Sequence, residues 1–337
     1  MNPVMKAVRL HAFGDPDVLR FEEAPRPVAN ADEVLIRVHA ASLNPPDLYL
    51  RDGFRTMPPE WQPDPVFPLI PGTDVSGVVV AVGTTVSSVS VGDEVFAMVG
   101  FPQRLMSGSG GYAEYVCVPE SELALKPDSI DHAHAAAAPM SLLTAWQFLI
   151  ETDNDQSNPF QSFQHAPVAL EGKTVLVNGA GGGVGHLAVQ LAKYKGAHVI
   201  AVASGKHEVL LRELGADQFI DYSQTAVEAA VQDVDLVFDA VGGTNMERFI
   251  GVIRQGGALF LANPLGFAGH AEAADRGITV SSIQVHSNGK QLREAGELLA
   301  NGTLRVVIDS TYPLAEADNA HRRAMKGGIQ GKVVLAV

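Results

Sequence analysis

The stretch Val177-Asn178-Gly179-Ala180-Gly181-Gly182-Gly183-Val184-Gly185 constrains this chain more than any other. It follows a continuous apolar run, Thr174-Val175-Leu176-Val177, and opens a segment, residues 184–194, with apolar side chains at helical spacing. An uninterrupted apolar run suits a strand buried on both faces. Strand, glycine turn and helix together form the start of a βαβ unit. Glycine lets the backbone turn tightly and come close to a pyrophosphate. The helix N-terminus adds free N–H groups and the positive end of the helix dipole. Aligned as G-x-G-x-x-G, the three positions are Ala180, Gly182 and Gly185, with alanine departing from the pattern at the first. The predicted dinucleotide-binding residues here are Ala180, Gly182, Gly183, Val184 and Gly185.

The end of the next strand selects the cofactor. An acid there would bind the ribose 2′-hydroxyl of NAD. The chain instead reads Val202-Ala203-Ser204-Gly205-Lys206-His207, with no acid until Glu208. Ser204 can donate a hydrogen bond to a 2′-phosphate and Lys206 can neutralise it, so NADP(H) is the expected cofactor.

Alternation of strands and helices continues beyond this point. Residues 199–202, 236–238 and 258–261 read as buried strands, with 278–285 as a further candidate, and this pattern predicts a doubly wound parallel sheet. The first 125 residues differ: short β-branched segments such as 33–38 and 76–82, punctuated by Gly72, Gly83 and Gly92, predict a barrel-like β domain. Residues 55–71 hold six prolines and read as an irregular loop. An alanine-rich stretch from 133, running on to Leu149, predicts one helix. Residues 151–167 are polar and read as a loop or lid insertion. Residues 303–308 and 332–337 return to strand character. The expected organisation is an α/β protein with a catalytic β domain over 1–125, a nucleotide domain over 126–285, and a return to the first domain over 286–337.

Bulk properties remove several function classes. The 337 residues carry a formal net charge of −14, which opposes binding to nucleic acid or anionic membranes. No uninterrupted apolar stretch of about 18 residues occurs, so no membrane-spanning helix is expected. A single cysteine, Cys117, excludes an intramolecular disulfide and a cysteine-rich zinc site. With no secretory signal apparent, a cytoplasmic location is expected.

Several segments, in order along nearly the whole chain, carry a family resemblance. They include Asn44-Pro45-Pro46-Asp47-Leu48-Tyr49, Pro71-Gly72-Thr73-Asp74-Val75-Ser76-Gly77, Gly111-Tyr112-Ala113-Glu114-Tyr115, Leu143-Thr144-Ala145-Trp146, Phe238-Asp239-Ala240-Val241-Gly242-Gly243 and Gly331-Lys332-Val333-Val334-Leu335. The chain resembles the zinc-independent medium-chain dehydrogenases/reductases, the quinone oxidoreductase or zeta-crystallin-like group. That resemblance implies a GroES-like β-barrel catalytic domain beside a Rossmann domain, and a homodimer formed through the nucleotide domain. It also implies that Tyr222 assists Ser204 and Lys206 at the adenosine phosphate. Thr144 and Asn44 would lie near the nicotinamide, and Val241 and Gly242 near its ribose. Where the related zinc alcohol dehydrogenases carry Cys and His, this chain carries Asn44 and Thr73, and its eleven histidines include no HxxxH pair, so no metal is expected.

Without a Lewis acid, alcohol oxidation loses its usual activation. A small hydrophobic quinone or α,β-unsaturated carbonyl needs none, because conjugation carries the incoming charge to oxygen, where hydrogen-bond donors suffice. Tyr49 is the first candidate donor and Asn44 the second. Asp47 reads as a structural cap or turn acceptor, Arg51 as a solvated cation or a group for an acidic substrate, and Phe54, Trp61, Phe67 and Phe101 as candidate pocket walls. Two alternatives stay open: an enoyl-thioester or alkenal reductase in a biosynthetic pathway, and a non-catalytic, crystallin-like NADPH-binding protein.

Overall fold

The computed structural model describes residues 3–56, 65–101, 104, 107–152 and 165–337. Trp61 and most of the 151–167 insertion lie outside the described residues. The chain divides into two compact units: Met1–Leu143, His286–Gly302 and Val306–Val337 form one, and Thr144–Val285 with Thr303–Arg305 form the other.

In the first unit, β1 (Val4–Leu10) and β2 (Leu19–Pro25) pair as an antiparallel ribbon. The main sheet contains β3 (Glu33–Ser42), β4 (Asp74–Val82), β5 (Glu94–Met98), β6 (Tyr115–Pro119) and β7 (Leu123–Leu125). Helix α1 (Pro45–Asp52) lies in sequence between β3 and β4, and α2 (His132–Ala137) and α3 (Pro139–Leu149) follow β7, the second unit beginning within α3 at Thr144. Late in the chain, α9 (Gly289–Ala300), β14 (Ile308–Pro313), α10 (Ala317–Met325) and β15 (Lys332–Ala336) return to this unit. Strand order is β14-β15-β3-β4-β5-β7, with β6 also paired to β3. Alternate residues of these strands, among them Ile36, Val38, Val75, Val79, Val95, Ala97, Val333 and Leu335, share one core.

The second unit is built on β8 (Thr174–Asn178), α4 (Gly183–Tyr194), β9 (His198–Ala203), α5 (Glu208–Glu213), β10 (Gln218–Asp221) and α6 (Val227–Ala230). It continues through β11 (Val234–Asp239), α7 (Arg248–Val252), β12 (Ile253–Leu261), α8 (His270–Asp275) and β13 (Thr279–Ser281). All strand pairs are parallel, in the order β10-β9-β8-β11-β12-β13. Winding therefore runs outward in both directions from β8. Val175, Leu176 and Val177 are fully buried, as a strand covered on both faces requires.

Four expectations change. Pro139 opens a new helix, so the alanine-rich segment forms two helices rather than one; a proline inside a continuous helix would remove a hydrogen bond and clash with the preceding turn. The composition shift at 126 marks where helices begin, but α2 packs on β3, β4 and β15 and stays with the first unit. Residues 303–307 form no strand. The Gln190 amide instead donates to Arg305 O at 2.9 Å and accepts from Arg305 N at 2.8 Å, taking the place of a strand partner. Of residues 278–285, only Thr279–Ser281 pair in the sheet.

Candidate functional site

Of the predicted cofactor residues, Ala180, Gly182, Gly183, Val184, Gly185, Ser204, Lys206, Tyr222, Val241 and Gly242 follow strands at the C-terminal edge of the six-stranded sheet, whereas Asn44 caps α1 and Thr144 lies in α3. Register aligns Asp221 with Ala203, Asn178 with Val202, and Asp239 with Asn178. Tyr222 and Ser204 thus follow paired residues on adjacent strands, and Tyr222 N donates to Ala203 O at 3.2 Å. Gly179 and Ala180 both donate to Val202 O, which ties the glycine turn to the end of β9. Lys206 and Tyr222 are exposed, as are Val241 and the edge of Gly242. Thr144 is buried in α3.

The turn is closely packed. A Cβ at Gly185 would stand 2.1 Å from Gly179 O, and one at Gly181 would stand 2.7 Å from the His207 ring. Glycine is sterically required at both, and the buried His207 behind the turn is a feature sequence reasoning missed. Gly182 caps α4 without any side chain. Among the described residues, the first N–H groups of this helix have no intrahelical or side-chain capping acceptor, which meets the needs of an anionic diphosphate. Ser204, Lys206 and Tyr222 at the neighbouring strand ends fit the adenosine side, so the edge as built fits a nicotinamide dinucleotide. One further acid belongs to this edge: a Cβ at Gly205 would come within 2.5 Å of Asp221 Oδ2. Asp221 Oδ1 accepts from Ser223 N and Oγ, and these bonds hold its carboxyl below the usual range. The strand-end reading of β9 alone could not reveal this acid, which arrives from β10.

In the first unit a buried polar cluster surrounds the start of α1. Asn44 is the N-cap, and its N–H donates to Asp47 Oδ2 at 2.9 Å, half of a capping box. Asp47 Oδ1 accepts from Gly72 N at 3.0 Å, which fastens the helix to the 71–74 segment. The Asn44 amide donates to Thr73 Oγ1 at 3.0 Å and Asp74 Oδ2 at 2.7 Å. Its Oδ1 accepts from the Lys332 ammonium, which also donates to Leu43 O at 3.1 Å and lies 3.6 Å from Asp74. Asp74 takes further bonds from Ser42 and from Met140 N. Asn44, Asp47, Thr73, Asp74 and Lys332 are all buried.

This arrangement corrects the expectation for Asn44 as a substrate donor. Both of its amide hydrogens are donated within the protein, so none remains for a ligand; its place is in the framework that sets α1. Two carboxylates face one ammonium here, and burial pushes the Asp47 carboxyl up to about 7. Burial also raises Asp74, against the opposing pull of Lys332, and lowers Lys332. Lys332 was not anticipated from sequence; the only signal was a lysine opening an otherwise apolar strand. Among the described residues, no group of three or more His, Cys, Asp or Glu is placed to hold a metal ion.

Tyr49 lies on α1, half-buried, its ring 6.2 Å from Phe54. Burial, and then Asp52, raise its phenol above the ordinary value, so it remains protonated and able to donate. Phe54 and Phe67 pack on Leu10, Leu50 and Leu69, and Phe101 is buried, which gives these three rings core roles. Arg51 is not solvated as expected. It is buried, with Nη1 3.2 Å from Met325 Sδ.

Residues 30–128 match the family described as alcohol dehydrogenase GroES-like domain, and residues 214–335 the family described as zinc-binding dehydrogenase. The chain is 33% identical over 371 residues to the mouse (Mus musculus) mitochondrial NAD(P)H oxidoreductase RTN4IP1, covering 100% of this chain and 90% of that one. It is 35% identical over 344 residues to the chloroplastic NADPH-dependent alkenal/one oxidoreductase of Arabidopsis thaliana, covering 98% and 79%. The solved structure of the quinone oxidoreductase from Coxiella burnetii superposes with a TM-score of 0.85 at 32% identity, covering 99% and 100%. A GroES-like unit, an all-parallel Rossmann-like unit and these full-length similarities together establish that the chain belongs to the medium-chain dehydrogenase/reductase family, with quinone oxidoreductases among its relatives.

Proposed function

We propose that this oxidoreductase uses NADPH to reduce a small hydrophobic quinone or α,β-unsaturated carbonyl, without zinc. The observation that carries the reading is the Asn44–Thr73–Asp74–Lys332 cluster. At the positions where zinc-dependent relatives place Cys and His stand an amide and a hydroxyl, and an ammonium hydrogen-bonds the amide oxygen. A positive charge already compensates the buried carboxylates there, and a divalent cation beside it would be repelled.

When bound, NADPH supplies the hydride. The chain's part is to hold and orient. The α4 N-terminus and the glycine turn take the diphosphate, and Ser204, Lys206 and Tyr222 take the 2′-phosphate. Tyr49 donates a hydrogen bond to the substrate oxygen on which negative charge collects. Relatives named for NAD(P)H, for NADPH with alkenals and enones, and for quinones support this reading. The Asp221 carboxylate near Gly205 favours a second reading in which NADH is also accepted, since an acid there can bind a ribose 2′-hydroxyl. The cytoplasmic setting and a homodimer belong to the same proposal; among the described residues, no helix is long and apolar enough to cross a membrane.

The test follows NADPH oxidation against benzoquinones, naphthoquinones, enals, enones and one enoyl thioester, each repeated with NADH and with a chelator. Chelator-insensitive turnover of quinones or enones is the expected result. Loss of turnover with chelator would overturn the metal-free reading, and turnover of the thioester alone would select the biosynthetic alternative. Tyr49→Phe should lower kcat about 10-fold or more if the hydroxyl acts in the transition state, while unchanged kcat would leave Tyr49 a packing role.

A further inference from the structure

Asp239 ends β11 at the point where the winding of the sheet reverses. It is paired in register with Asn178, which ends β8. One carboxylate oxygen is fully engaged: Oδ1 accepts from Asn178 Nδ2 at 2.8 Å, Val241 N at 3.0 Å and Gly242 N at 3.3 Å. The other, Oδ2, is buried and takes no hydrogen bond among the described residues, and the whole residue is 1% exposed. A buried carboxylate oxygen without a donor bears the desolvation cost with no hydrogen bond to offset it. Packing alone does not account for it. An asparagine or a threonine would tie the Val241–Gly242 turn to β8 without leaving a second charged acceptor inside the protein.

Strand order says which part of a ligand reaches this oxygen. Ser204 and Tyr222 follow β9 and β10, on one side of β8, and the glycine turn follows β8 itself. β11 is the next strand on the opposite side, about 5 Å further along the edge. A dinucleotide laid across the edge with its adenosine on β9 and its diphosphate on α4 continues over β11 with its second ribose. A ribose is a pair of hydroxyl donors, and a carboxylate is the side chain that dinucleotide folds use to receive one. Gly242 and Gly243 follow with left-handed φ of 71° and 87°, and a Cβ at Gly243 would meet nothing within 4 Å, so the backbone beside Asp239 is open to a close approach.

We propose that Asp239 is a cofactor-binding residue: Oδ1 holds the Val241–Gly242 turn against β8, and Oδ2 accepts a hydroxyl of the ribose on the nicotinamide side. This rests on reading the edge as the NADPH site. Asp239→Asn separates the two roles. Its side-chain oxygen keeps the framework bonds of Oδ1, while its NH2 replaces the free acceptor with a donor.

The experiment measures binding of four probes to the full chain: 2′-phospho-ADP (adenosine 2′-phosphate 5′-diphosphate), 2′-phospho-ADP-ribose, ADP and ADP-ribose. In the unaltered protein, the terminal ribose should tighten binding within each pair. In Asp239→Asn, binding of both ribose-bearing probes should weaken about 10- to 100-fold, the worth of a charged hydrogen bond. Binding of 2′-phospho-ADP and ADP, and the Tm, should be unchanged. An equal loss across all probes, or no loss for any, would overturn the proposal. If the variant does not fold, the unaltered protein is titrated with ADP-ribose lacking the terminal 2′ and 3′ hydroxyls, and affinity equal to that of ADP-ribose overturns it. Preference for ADP over 2′-phospho-ADP would refute the NADPH reading alone, because the ADP pair still reports on Asp239.

Discussion

At Lys206 a single ammonium stands three residues past the end of β9, on the exposed edge that also carries Ser204 and Tyr222. Its contact with a 2′-phosphate would be charge-assisted, and NADH has no such group. Lys206→Ala should therefore raise the Kd for NADPH about 10-fold or more while leaving that for NADH nearly unchanged; an equal loss for both cofactors would remove the 2′-phosphate assignment. A different residue bears on acid stability. His321 is buried with neither ring nitrogen hydrogen-bonded among the described residues, 6.0 Å edge-on from the Tyr112 ring, and burial lowers it from 6.5 to about 3. The folded protein keeps it neutral, while the unfolded chain protonates it below about pH 6.5. Stability should fall as pH drops from about 6.5 toward about 3, because the unfolded state then binds the additional proton. His321→Phe should flatten that limb in denaturant titrations and be neutral or stabilising at pH 7, since no hydrogen bond is lost. An unchanged acid slope would show that other groups set it.

Among the elements, the glycine turn and α4 act as one unit. A methyl group at Gly185 would meet Gly179 O at 2.1 Å, so Gly185→Ala has to move the turn or the helix start. The expected cost is roughly 1–3 kcal/mol in unfolding experiments, as for other overpacked sites, with a sharp loss of dinucleotide affinity. Retained affinity would show that the turn tolerates a shift. Helix α1 depends on a comparable lock. Its start is held by Asp47, bonded to Asn44 N and Gly72 N, and by Lys332 through the Asn44 side chain, so the orientation of Tyr49 depends on a residue from the last strand.

The whole chain contributes three segments to its first unit. β15 lies between β14 and β3, so the C-terminal residues bridge the late segment to the early sheet. Ending the chain after Gly331 would unpair both neighbours and remove Lys332 from between two buried carboxylates. Such a chain should fail to yield soluble protein with a cooperative melting transition. A well-folded product would show that β15 is dispensable. By the same logic the second unit, whose sheet comes from one continuous stretch, carries its nucleotide edge without long-range strand exchange.

Local order was legible because its signals are local. The apolar run before Gly179, the glycine spacing and the helical period to Tyr194 report constraints within about 20 residues, and they placed β8, the turn and α4 nearly to the residue. What the sequence could not show depends on distant partners. Lys332 meets Asn44 across 288 positions, Asp221 reaches the Gly205 loop from the next strand, and Asp239 meets Asn178 across 61. Hydrogen bonds and charges act over a few ångströms in space, whatever the separation along the chain. The composition and motifs of this protein therefore determined its two-unit plan and its strand–glycine turn–helix unit, while tertiary folding alone decided that Asn44 became framework and that Asp239 Oδ2 stayed without a donor among the described residues.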